Sequence, residues 1–115
     1  MRPRGQVALV TGAQQGIGRA IAVALVQDGA DVGVNYLDDG GAAERVAAEV
    51  RGTGRRACVV QGDVSRASDA EAMVGAVARE LGTPGILVNN AGVFPRVGFL
   101  AMQTIHVNGG AFMGG

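Results

Sequence analysis

The chain has 115 residues, ten basic and ten acidic, with no formal net charge; 48% are hydrophobic but only 3% aromatic, so any core must be built from Ala, Val, Leu and Ile. That length supplies one domain, spanning residues 1–115, able to bury a core without disulfides or metals. Balanced, scattered charges leave no footprint for nucleic acid or an anionic membrane, and the one cysteine excludes a disulfide framework or a cysteine metal cluster.

Gln6 to Val10 is a short apolar run, as expected of a strand buried on both faces of a parallel sheet. Thr11-Gly12-Ala13-Gln14-Gln15-Gly16-Ile17-Gly18 follows, and then Ile17, Ile21, Ala24 and Leu25 recur at helical spacing until Gly29 stops the helix. Strand, glycine turn and helix in that order make a phosphate site. The helix start offers unpaired N–H groups and a positive dipole end, so an anion can be held without a cationic side chain. Gly12 turns the chain off the strand, Gly16 removes a Cβ where backbone must approach the phosphates, and Gly18 lets the helix pack closely on the sheet. Three glycines alone also fit an ordinary strand-to-helix turn.

Asp31 to Tyr36 reads as a second strand, and Ala43, Val46, Ala47 and Val50 mark a second helix that runs out at Gly52 and Gly54. Arg56 to Gln61 is a third strand, with Cys58 as a buried core thiol, and Gly62-Asp63-Val64-Ser65 leaves its carboxyl end. Ser68 with Glu71 predicts a capping box opening a third helix, whose apolar face is Ala70, Met73, Val74, Val77 and Leu81. Ile86 to Asn89 is a fourth strand, leading into Asn90-Ala91-Gly92. This alternation predicts an α/β, Rossmann-like doubly wound parallel sheet of order 3-2-1-4, truncated after about four strands. Ligands of such sheets sit outside the carboxyl ends of the strands where the order reverses, between the first and fourth. The glycine turn, Asp63-Val64 and Asn89 to Gly92 all fall on that edge.

Together the three stretches resemble the short-chain dehydrogenase/reductase family. Its cofactor half carries Thr-Gly-x-x-x-Gly-x-Gly, an Asp after the third strand and Asn-Asn-Ala-Gly after the fourth. The resemblance runs from Gln6 to about Asn108. It implies a dinucleotide whose pyrophosphate is cradled by Gly12, Gly16, Ile17 and Gly18. Asp63 and Val64 would contact its adenine, and Asn90, Ala91 and Gly92 would border its ribose while tying the central strands together. As a lone residue, Asp63 reads equally well as a loop carboxylate bonding nearby N–H groups. Tyr36 stands where the family's discriminating acid usually lies, with Asp38 and Asp39 just beyond. Gln15 replaces the basic residue common in members that prefer the 2′-phosphate. The expected cofactor is NAD or NADP, with the lean to NAD.

In the family a tyrosine, with a lysine four residues later that lowers its pKa, handles the proton while hydride passes between nicotinamide and a carbonyl or alcohol carbon. This chain has one tyrosine, Tyr36, and no lysine, so it does not supply that dyad. Asn108 matches the asparagine of the family's next helix, the one catalytic position present, but the chain from Gly92 to Asn108 is several residues short and glycines follow. Gly85 is a further departure, in place of a common aspartate. No metal site is expected. A sheet ending at its fourth strand would leave a bare edge, which favours marginal stability or a homo-oligomer. Met1-Arg2-Pro3-Arg4 precedes too short an apolar run for a signal peptide, and no segment approaches membrane-spanning length, so the expected location is cytoplasmic. Three readings stand: the cofactor-binding half of such an oxidoreductase, with a small carbonyl or alcohol substrate; a non-catalytic dinucleotide-binding module; or a degenerate product.

Overall fold

A computed structural model describes residues 5–14, 16–90, 103–108 and 111–114. The expectations placed on Gln15, Ala91 and Gly92 lie outside the described residues. The elements in chain order are β1 (Val7–Val10), α1 (Gly16–Gln27), β2 (Asp31–Tyr36), α2 (Gly40–Arg51), β3 (Ala57–Gln61), α3 (Ala67–Glu80), β4 (Ile86–Asn89), β5 (Gln103–Asn108) and β6 (Ala111–Gly114). They form one sheet of order β3-β2-β1-β4-β5-β6. The order 3-2-1-4 read from the alternation of apolar runs is present, and β1 pairs in parallel with both β2 and β4.

Strand parity assigns the two faces. Ala8 and Val10 of β1, Val32 and Val34 of β2, and Ile86 and Val88 of β4 pack with Ile21, Ala22 and Val26 of α1 and Val46, Ala47 and Val50 of α2. The residues between them, Val7, Leu9, Cys58, Val60 and Leu87, pack with Met73, Val74 and Val77 of α3. Successive side chains point to opposite faces, so a strand covered on both sides must be apolar throughout. That is why β1 and β4 read as unbroken apolar runs. Gly33 is the tight point of the α3 face, because a Cβ built there would lie 2.7 Å from Val77 Cγ2.

Two expectations are corrected. The sheet does not end at β4: β5 pairs with it in parallel, Ile86 opposite Gln103, and β6 returns antiparallel to β5. The bare β4 edge, the ground for expecting self-association, is therefore covered. The segment holding Asn108 was expected in a helix but lies in β5. Thr104, Ile105 and Val107 are β-branched and suit a ladder better than a helix, and Gly109 and Gly110 follow at once.

The capping box at Ser68 is also not formed. α3 begins at Ala67, with Arg66 at its N-cap and no side-chain cap, and the Ala70 N–H donates to Arg66 O at 2.9 Å. Ser68 thus lies inside the first turn. Asp69 is used instead, its Oδ2 accepting the Asp63 N–H at 2.9 Å. At α2 the cap is Asp39, whose Oδ1 accepts the Ala42 N–H at 3.0 Å.

Candidate functional site

The β1–β2 and β1–β4 registers pair Val10 with Val34 and with Val88. The loops leaving β1 and β4 therefore start side by side, and those leaving β2 and β3 complete the same edge. The Thr11 N–H donates to Val88 O at 3.0 Å and the Ala13 N–H to Asn35 O at 3.0 Å, so the turn after β1 is anchored to both neighbours. Gly12 and Gly16 both take positive φ, +60° and +61°, a left-handed backbone that side chains disfavour.

Each glycine has its own reason. A Cβ on Gly18 would collide with Gly12 O and lie 2.8 Å from Asn90 Nδ2, so α1 sits directly on the turn and on the start of the β4 loop. Among the described residues nothing lies within 4 Å of a Cβ built on Gly16. No acidic residue occupies the first turn of α1 to neutralise the dipole.

Asn90 joins the two loops. Its backbone N–H donates to Thr11 Oγ1 at 2.9 Å and its Nδ2 to Gly12 O at 3.3 Å. Thr11 is fully buried. Asp63 accepts at Oδ1 from the Ser65 N–H at 3.0 Å and the Ser65 hydroxyl at 2.6 Å. Those bonds hold its carboxyl below the ordinary carboxylate range. The loop-bonding reading of Asp63 is thus realised, and the carboxylate still borders a cleft of about 150 Å³ lined by Gly12, Gln14, Asn35, Leu37, Gly62, Asp63 and Val64. Val64 is buried against the α3 cluster. Gln14 Oε1 is buried with no hydrogen-bond partner among the described residues.

Tyr36 is half-buried against the α2 side of the core, and a Cβ on Gly40 would approach its hydroxyl to 3.3 Å. Leu37 beyond it is 55% exposed. Ile17, in the first turn of α1, is 47% exposed. The structure therefore gathers Gly12, Gly16, Ile17, Gly18, Asp63, Val64 and Asn90 on one edge, with Tyr36 at its α2 margin. Asn108 closes β5, and the β4–β5 register sets Asn89 opposite His106.

Sequence reasoning missed one residue. Asn35 is 2% exposed, and its Oδ1 accepts the Gly12 N–H at 3.0 Å. The signal was present: an amide in the buried stretch of a strand must find hydrogen bonds there.

The family model for short chain dehydrogenase matches residues 6–109. The chain belongs to the short-chain dehydrogenase family. It is 42% identical over 98 residues to the L-rhamnose 1-dehydrogenase (NAD(P)(+)) of a Sphingomonas species, an alignment covering 85% of this chain and 39% of that enzyme. It is 42% identical over 86 residues to the 3-oxoacyl-acyl-carrier-protein reductase FabG of Staphylococcus aureus, covering 75% of this chain and 35% of that one. A short chain dehydrogenase of Burkholderia cenocepacia, solved in complex with NADP, superposes with a TM-score of 0.75 at 43% identity, over 83% of this chain and 39% of the other. This short-chain dehydrogenase chain thus spans under two-fifths of the length of these curated relatives. Its fold is the NAD(P)-binding Rossmann fold of that family.

Proposed function

We propose that these 115 residues are the dinucleotide-binding half of an NAD(P)-dependent oxidoreductase acting on a carbonyl/alcohol pair. The observation that carries this reading is the convergence of three carboxyl-end loops at the β1/β4 switch point, with Asn90 bonded to Gly12 and α1 seated where only a glycine fits. The site fits the group: the left-handed turn at Gly16 and the unneutralised start of α1 suit a pyrophosphate, and the cleft beside Asp63 and Val64 suits adenine. A dinucleotide held here would supply hydride transfer to or from the carbonyl carbon. The chain's own part would be to hold and orient it: backbone N–H groups of the Gly16 to Gly18 turn would take the phosphates, Asp63 would accept from the adenine amino group, and Asn90, with Ala91 and Gly92, would be the residues bordering the ribose. Asn108 is the position proposed to contribute to proton handling. With no lysine in the sequence, the tyrosine–lysine proton dyad of the family is not supplied by these residues, and turnover by this chain alone is expected to be negligible.

NAD is the proposed cofactor over NADP. No cation stands at Tyr36, Leu37, Asp38 or Asp39; Arg19 and Arg45 line the neighbouring α1/α2 groove beside Asp39, Arg19 paired with Glu49 at 2.8 Å. A 2′-phosphate next to Tyr36 would add its charge to those of Asp38 and Asp39, and a net like-charge cost of about 1 kcal/mol would make NADPH bind roughly fivefold more weakly. The expected location remains cytoplasmic; among the described residues no helix is long and apolar enough to cross a membrane.

The test is titration of the chain with NADH and with NADPH, followed by nicotinamide fluorescence. Saturable binding, tighter for NADH, is expected. Absence of binding at millimolar concentrations of both would refute the reading, and tighter NADPH binding would refute the cofactor preference.

A further inference from the structure

Asn35 sits in β2 with the parity of Gly33, so its side chain enters the α3 face of the sheet, among aliphatic neighbours. Burying an amide there costs several kcal/mol unless both ends are bonded. Both are. Oδ1 accepts the Gly12 N–H at 3.0 Å, and Nδ2 faces Gly62 O at 3.2 Å, Val60 O at 3.3 Å, Tyr36 O at 3.3 Å and Met73 Sδ at 2.8 Å. Met73 packs close to Gly62 as well: a Cβ there would lie 2.8 Å from Met73 Sδ. One side chain therefore reaches the turn after β1 with its acceptor and the loop after β3 with its donor.

We propose that Asn35 is a positioning residue for the dinucleotide, setting the glycine turn through Gly12 and holding the Gly62-Asp63-Val64 loop at a fixed distance from it. This rests on the function proposed above. Gly12 alone has enough backbone freedom to wander, and its left-handed φ of +60° must be held by something outside the turn. Asn35 Oδ1 does so without a ligand present. A carboxylate at this position would accept from Gly12 but present repulsive oxygen to the carbonyls of Val60 and Gly62, and serine would fall short of both. Only an amide of this length serves both loops. The pyrophosphate turn and the adenine loop are thereby pre-set relative to each other, which removes an ordering cost from binding.

The test uses the full chain labelled with ¹⁵N. In the unaltered protein without ligand, the Gly12 amide should exchange at least about tenfold more slowly than in the unfolded chain. In Asn35→Leu, which keeps the volume, that protection should be lost, while the Ala13 amide, bonded to the backbone carbonyl of residue 35 at 3.0 Å, keeps its own. NADH affinity should fall about tenfold or more. Asn35→Asp should recover Gly12 protection, since an oxygen returns to the Oδ1 position. Should the leucine variant not fold, the unaltered chain and the aspartate variant decide the matter. Unprotected Gly12 in the unaltered chain, or NADH binding by Asn35→Leu as tight as the unaltered chain's, would overturn the inference. A protected Gly12 in a chain that binds neither NADH nor NADPH would refute the proposed function and leave the positioning of the turn standing.

Discussion

Gly18→Ala tests whether α1 is seated on the glycine turn. In an ordinary helix position this change stabilises by up to about 1 kcal/mol, because glycine loses more backbone entropy on folding. At Gly18 the added methyl collides with Gly12 O and lies 2.8 Å from Asn90 Nδ2 and 2.9 Å from Gly12 C. Two of these three atoms are backbone of a turn already anchored to β2 and β4, so α1 must lift away, at an overpacking cost of about 1–3 kcal/mol or more. The net expectation is destabilisation of roughly 0–2 kcal/mol, a fall in melting temperature of up to about 8 °C at roughly 4 °C per kcal/mol, together with loss of dinucleotide binding. Gly75→Ala, in the middle of α3, is the control. A Cβ there would lie 3.4 Å from the guanidinium end of the Arg79 side chain, so the same chemical change should stabilise by about 0.5–1 kcal/mol and leave binding unchanged. Urea denaturation followed by circular dichroism, with NADH titration of each variant, reads both effects. If Gly18→Ala stabilises as much as Gly75→Ala does, the packing account of this glycine is wrong.

Two further outcomes are expected away from the site. Asp31 is buried at the start of β2; burial alone would push its carboxyl up, but hydrogen bonds from the Arg56 N–H and side chain and the charge of Arg55 outweigh it and hold the group below its ordinary value of 3.8. A depressed pKa stabilises the fold above the unfolded value and loses that stability as pH falls through the folded one. Asp31→Asn should therefore cost about 1–3 kcal/mol at pH 7, by urea denaturation, with the gap to the unaltered chain narrowing as pH falls below about 4; a gap that does not narrow on acidification would count against the ionic account. Cys58 is buried, and burial, with the nearby Glu80 charge, raises its thiol to about 11. At pH 8 about one thiol in a thousand is ionised, so a disulfide reagent should label native chain far more slowly than urea-unfolded chain; equal rates would place Cys58 outside the core.

Much of this protein was legible in its sequence, because the period of its apolar residues is set by local backbone geometry. Unbroken apolar runs at β1 and β4 mean two covered faces, and helical spacing between them means crossovers, from which the order 3-2-1-4 follows with the right-handed connection rule. The three stretches that mark the family were legible for the same reason: glycines at Gly12, Gly16 and Gly18 answer backbone demands any reader of the turn can state. Other features were decided by the assembled fold. Ser68 and Glu71 satisfy the pattern of a capping box, yet Asp63 and Asp69 bond across the β3–α3 loop and the helix starts before them. The β-branched residues of 103–108 favour a strand, but its place in the sheet was decided by β4, which offers β5 an unpaired ladder. Asn35 shows the division most clearly. Its sequence position announces only that a buried amide needs partners; that those partners are Gly12 on one side and the Val60 and Gly62 carbonyls on the other depends on three strands being brought into register by tertiary packing.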